Sequence, residues 1–213
     1  MSLAKITMLA AVLGLSACAS VDTATRNAPV GLQTATQAPA AVQSYAAPIN
    51  ITGVNVRVPQ NLSVSEANSF LPKADIVWRE DPFGNRHEQV QVIMQAAAER
   101  AAAGHTEGRP VIVDIQMTRF HALTERTRYT VGGTHDIHYY LSLVDAETGQ
   151  RLTQPQAIEM EFKALGGARA LEAMSRGQTQ KVRITDHVVA KLDELFRTTP
   201  IPAQQRENLL AQY

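Results

Sequence analysis

The run His135-Asp136-Ile137-His138 has the residue types of a metal site or an acid–base pair. Ligands three residues apart meet on a helix, but on a strand they point to opposite faces. The run reads as the start of a strand, so both histidines are expected on its surface, and no metal ligand set is assigned. Asp186-His187 has the types of a proton relay. Adjacent helical residues diverge and the chain lacks a G-x-S-x-G nucleophile elbow, so these two read as a solvated helix face. Glu159 and Glu161 share a strand face, as paired carboxylates would, yet alternation with Ile158 and Met160 describes the wet side of a sheet equally well. Gly132-Gly133 and Gly166-Gly167 belong to neither a GxGxxG run nor a P-loop with its lysine. They read as a turn between strands and a loop before a helix.

The remaining cluster is basic and aromatic: Arg119, Arg126 and Arg128 with Phe120, His121 and Tyr129. Arg119, Arg126, Arg128 and Tyr129 could form a partner surface or hold an anionic head group. A hairpin edge defended by charge has the same composition, and is the preferred reading. No catalytic residue and no cofactor are expected. The alternative is a small-ligand binder or hydrolase in which His121, His135 or His138 meets a carboxylate in a concave pocket.

The elements that would position these residues begin at Ile49. Val54, Val56 and Val58 alternate with Asn55 and Arg57 at strand period, and Thr52-Gly53 before them predicts a bulge. Asp75–Arg79 is a short second strand. Asn85 with Glu88 opens a helix carrying Val90, Ile93, Met94, Ala97 and Ala101 on one face and Gln91, Gln95 and Glu99 on the wet face; Gly104 stops it. Val111, Val113, Ile115 and Met117 form a strand, and another runs through Ile137, Tyr139, Leu141 and Leu143. Asp145–Gly149 has the residues of a tight hairpin loop, and Ile158, Met160 and Phe162 return. A short Ala-rich helical piece to about Arg176 precedes a longer helix near 179–197, with Val188, Val189, Leu192, Leu195 and Phe196 as its buried stripe. The order β-β-α-β-β-β-α predicts an α+β two-layer sandwich, a mixed and mostly antiparallel sheet with two helices on one face. The strands flanking the first helix are expected to be parallel neighbours.

The chain has 213 residues, 45% of them hydrophobic, with 20 basic and 20 acidic side chains. One ordinary core is affordable, and neutrality excludes the basic footprint of a nucleic-acid binder. The single cysteine, Cys18, cannot close an internal disulfide. It follows Lys5, an apolar run Ile6–Leu15 and the small residues Ser16-Ala17, the anatomy of a secretory signal peptide whose apolar core is too short to span a bilayer. Leu15-Ser16-Ala17-Cys18 resembles the lipobox of bacterial lipoproteins. That resemblance implies cleavage before Cys18, lipidation of its thiol (palmitate among the acyl chains) and anchorage to a membrane. Ala19 and Ser20, where an inner-membrane lipoprotein commonly has Asp, imply the outer membrane, facing the periplasm. Inner-membrane retention is an alternative. So is cleavage after Ala19 through Ala17-Cys18-Ala19, which would give a soluble periplasmic protein.

The expected organisation is a signal peptide at 1–17, lipidated Cys18 with a disordered tether to 48, a periplasmic domain at 49–199 and a tail at 200–213. The tether is rich in Ala, Thr, Gln and Pro and has too little apolar surface to offset its ordering entropy. With the hairpin Leu143-Val-Asp-Ala-Glu-Thr-Gly149 behind such an anchor, the chain resembles small bacterial lipoproteins of uncharacterised function, especially alphaproteobacterial ones. It is more loosely similar to accessory lipoproteins of envelope transport and assembly systems. The implied role is non-enzymatic: binding a protein partner in the envelope, or self-association.

Overall fold

The computed structural model describes residues 47–201. The signal peptide, Cys18, the tether as far as residue 46 and the tail beyond 201 lie outside the described residues. Within them the strands are β1 (Ile49–Arg57), β2 (Ile76–Val77), β3 (Arg109–His121), β4 (Gly133–Asp145) and β5 (Gln156–Ala164). The helices are α1 (Arg86–Ala102), α2 (Glu125–Arg128), α3 (Ala168–Ser175) and α4 (Gln180–Thr198). The sheet order is β1-β3-β4-β5, with β2 added to the far end of β3. The β3–β4 and β4–β5 pairings are antiparallel; β1 and β2 run parallel to β3. This is the expected α+β sandwich.

Strand period decides which face is dry. Val111, Val113, Ile115 and Met117 of β3 and Ile137, Tyr139, Leu141 and Leu143 of β4 are fully buried on one face. Val90, Ile93, Met94, Ala97 and Ala98 of α1 and Ile184, Val188 and Leu192 of α4 join them in one core. At about 25 cal/mol per Å² of apolar surface, this face supplies most of the driving force for folding. The alanines let α1 approach β1 and α4 closely, and both long helices lie on this one face. Asn85 caps α1 by accepting from the backbone N–H of His87 (3.1 Å) and Glu88 (3.4 Å), and Thr179 caps α4.

Three details differ from or sharpen the sequence reading. The β1 register shifts between Ile51 and Gly53, the expected bulge. The strand before α1 pairs with β3 for only two residues; the long parallel neighbour of β3 is β1. On the other side of β2, Ser65 N donates to Ile76 O and Ile76 N to Ser63 O, while Trp78 turns inward, its Nε1 donating to Asp81 Oδ2 at 2.8 Å. The α1 glutamines are not simply wet. Gln95 accepts from Val56 N (3.1 Å) and donates to Val54 O (3.0 Å), and Gln91 donates to Val56 O (3.0 Å). The outer edge of β1 is therefore closed by side chains.

In the hairpin after β4, Asp145 Oδ1 accepts from the backbone N–H of Thr148 (2.8 Å) and Glu147 (3.0 Å), and Oδ2 from Arg109 Nε (2.9 Å). The Thr148 N–H and then Arg109 hold its carboxyl down to about 2. Ile201, just past the predicted domain end, is buried in the core.

Candidate functional site

The second sheet face carries no helix layer among the described residues, and it is polar. Its composition depends on one irregularity in β3. Register shifts between Met117 and Arg119, so that Phe120 returns to the core while Arg119 and His121 turn outward. A bulge inverts the alternation in this way and re-aims side chains. On β4 the outward residues are Asp136 and His138, and register places Glu161 of β5 opposite Asp136 and Glu159 opposite His138. Two positively charged or imidazole side chains on β3 thus face an Asp-His pair on β4 and two glutamates on β5.

Arg119 Nε contacts Asp136 Oδ2, and its Nη1 donates to Ala74 O at 3.2 Å. His138 Nε2 and Asp136 Oδ1 are 2.5 Å apart, an ion-pair distance, yet neither atom has an aligned hydrogen-bond partner. His121 Nε2 lies 3.0 Å from Pro72 O. Burial, and then the charge of Arg119, keep the His121 imidazole below its ordinary value and neutral near pH 7.

Residues 68–74 form a strap over this end of the sheet. Asn68 accepts from Arg126 N (2.8 Å), Ser69 O accepts from Thr124 Oγ1 (2.8 Å), and the Arg126 guanidinium lies 4.6 Å from the Phe70 ring centre. Strap and sheet enclose a groove of about 600 Å³ lined by Leu71, Lys73, His121, Thr134, Asp136 and Glu161 among others. Leu71 is 87% exposed at its rim.

The predicted site residues are therefore only partly brought together. His121 and His138 share the open face, and His138 meets a carboxylate there. His135 does not: it points into the core and is 1% exposed, which corrects the expectation of a surface histidine. Its ring is 5.0 Å from that of Phe162, and its Nδ1 has no hydrogen-bond partner among the described residues. A cavity of about 20 Å³ beside it, lined also by Arg128 and Arg183, has room for a water.

The basic-aromatic cluster is dispersed. Arg119 lies on the open face, Arg126 is on α2 with its guanidinium against Phe70 of the strap, and Arg128 is 7% exposed with Nη1 3.6 Å from Glu80 Oε1. Tyr129 is half exposed, with Arg128 over its ring. The hairpin-edge reading is also corrected: residues 125–128 are helical, and β3 is an interior strand. Asp186 and His187 lie on the exposed face of α4, and Glu159 and Glu161 on the wet side of the sheet, as expected. The strap and the Asp136–Glu161 pairing were not foreseen.

Burial, then Arg183 and His187, push His135 down to about 3. Unfolded, it titrates near its ordinary value of 6.5. Below that value the unfolded chain binds a proton that the folded chain refuses, so this contribution to stability is complete above about pH 6.5 and is lost as pH falls toward 3. Between pH 7 and pH 5 the loss from this group is about 2 kcal/mol. Urea midpoints at the two pH values should differ less in His135→Gln than in the wild type. An equal difference in both would remove His135 as the cause.

One edge of the sheet remains. β5 is the last strand in the order, and the hydrogen bond given to its outer backbone among the described residues is Arg183 Nη2 to Lys163 O at 3.2 Å. No helix among the described residues is long and apolar enough to cross a membrane.

Among protein families, the model of a family of unknown function, DUF6778, matches residues 49–212. No curated protein matches the chain. Among solved structures, the chain is similar to protein XCC0632 of Xanthomonas campestris, described under family DUF330, with 7% identity and a TM-score of 0.42 over 70% of this chain and 81% of that one. It is also similar to a minor lipoprotein of Acinetobacter baumannii, with 10% identity and a TM-score of 0.37 over 74% of this chain and 99% of that one.

Proposed function

The chain belongs to this family of unknown function, and from that premise we propose a lipid-anchored envelope protein of non-catalytic role, whose domain receives an extended segment of a protein partner along the outer edge of β5. The anchor rests on the lipobox Leu15-Ser16-Ala17-Cys18; Ala19 and Ser20 after it favour the outer membrane, with the domain facing the periplasm.

The observation that carries the partner reading is the asymmetry of the two sheet edges. At β1, Gln91 and Gln95 satisfy the outward backbone groups. At β5, residues 156–162 have no such cover among the described residues. A free row of N–H and C=O groups is a template for strand addition, and proteins without a use for one blunt it. The wet side of that edge presents Glu159, so the incoming strand carries a basic side chain opposite it. Cross-strand pairs of opposite charge contribute roughly 0.2–1 kcal/mol each.

A photo-crosslinking residue at Ala157 of β5, in the full chain in cells, tests this. It should capture a protein segment with alternating basic and apolar residues. The same probe at exposed Val92 on α1 should not capture it. Equal capture at both sites, or none above background at Ala157, would overturn the reading.

A further inference from the structure

We propose that Asp136, His138 and Glu161 form a binding site for a divalent transition cation of the zinc class on the open face of the sheet. One donor atom from each side chain lies within 4.8 Å of the others. Donors of a tetrahedral ion at bond lengths of about 2.1 Å stand about 3.4 Å apart, so rotation of the exposed Glu161 side chain brings its carboxylate into the set.

A separate observation points to an ion. Asp136 Oδ1 and His138 Nε2 are withdrawn from solvent and 2.5 Å apart, yet neither has an aligned hydrogen-bond partner. Buried polar atoms in native proteins are almost always paired. The two atoms are turned toward one another, and a tetrahedral ion between them would hold them about 3.4 Å apart, an opening of about 1 Å that side-chain rotation supplies. Arg119 occupies the other oxygen, Asp136 Oδ2, which fixes the carboxylate and leaves Oδ1 for the ion. Such outer partners orient metal ligands.

Charge supports the site. Arg119 opposes a cation, but Asp136, Glu161 and nearby Glu159 together balance a dication and the guanidinium. The fold supplies the arrangement without distortion. Asp136 and His138 are two apart on β4, so they share a face, and the β4–β5 register brings Glu161 opposite Asp136. One imidazole with two carboxylates suits zinc and its neighbours; calcium and magnesium prefer all-oxygen shells. Asp136 and Glu161 line the groove, so further coordination positions face a space where a small anionic or carbonyl ligand can enter.

The test is calorimetric titration of the full chain, purified in mild detergent and stripped of metal, with zinc, manganese and magnesium chlorides. One zinc per chain is expected, manganese weaker than zinc and magnesium without measurable heat. Zinc affinity should fall at least tenfold in His138→Ala and in Glu161→Gln, and stay unchanged in His87→Ala. Glu161 is exposed, so Glu161→Gln retains the fold, which far-ultraviolet circular dichroism verifies. No zinc heat above buffer, or equal zinc affinity in the folded Glu161→Gln and wild-type proteins, would overturn the site.

Discussion

Replacing Cys18 with serine is expected either to release the protein almost completely from the membrane fraction or to block its processing, leaving a precursor that keeps its signal peptide. The size of the effect follows from what a lipidated thiol would carry. Each buried methylene contributes about 0.8 kcal/mol, one acyl chain alone binds marginally, and stable anchoring needs at least two. A lipobox cysteine is the attachment point for the diacylglycerol, and the acylated amino group that follows cleavage belongs to the same residue. One substitution therefore removes every chain together. No helix among the described residues is long and apolar enough to hold the protein in a bilayer without them. Fractionation with a carbonate wash, and labelling with a palmitate analogue, report the change. Wild-type fractionation and labelling in Cys18→Ser would contradict it.

The second large effect is on folding. Gly166→Ala should destabilise the domain on the order of 4 kcal/mol or more, in the range where single changes become exceptional. The loop between β5 and α3 crosses the turn before β4 at backbone contact. A Cβ on Gly166 would sit 2.0 Å from Gly132 N, 2.4 Å from Gly132 Cα and 2.5 Å from Val131 C, with no flexible side chain to yield. Gly132 is itself at φ +73° and its own Cβ would lie 2.7 Å from Gly166 N. The crossing is pinned by Gly167 N to Arg128 O and Gly132 N to Thr127 O, each 2.9 Å. Domains of this size are stable by about 5–15 kcal/mol, so a large part of the total is at stake. Gly149→Ala is the control: its φ is +71° but nothing lies within 4 Å, so it should cost only about 1–2 kcal/mol from its backbone conformation. Urea unfolding of both proteins decides between a steric crossing and a merely conformational one. Equal losses would contradict the crossing.

The fold was legible where alternation and helical spacing were strong. Val111 to Met117 and the α1 and α4 stripes announce their burial by period alone. The cap Asn85 and the bulge at Thr52-Gly53 follow from residue type. The candidate site was less legible because it depends on register between strands. The same-face relation of Asp136 and His138 is a period-two fact, as is that of Glu159 and Glu161. Which glutamate faces Asp136 is not. Near the hairpin Val144 bridges Arg151, whereas farther along Leu141 pairs with Gln156, so the alignment slips by two residues between them. Counting from the turn would set Asp136 against Glu159. The inversion at Thr118 is equally silent, since neither glycine nor proline marks it, and it alone turns Arg119 and His121 outward. His135 was misplaced because its polarity suggested solvent, while its phase, two residues before the buried Ile137, pointed to the core.

The glutamine cover on β1 shows the same limit. Gln91 and Gln95 sit where a wet helix face is expected, and only the packing of α1 beside the sheet edge turns them into hydrogen-bond partners for Val54 and Val56. At β5, residues 156–162 have no such cover among the described residues.

Membrane attachment through a single thiol is the premise on which the envelope role stands, and intact mass spectrometry of the mature protein tests it most directly. The predicted result is a polypeptide whose first residue is Cys18, heavier than its sequence by a diacylglycerol group and, where the amino group is acylated, one further acyl chain. A mature chain of unmodified mass that starts after residue 18 would contradict the account.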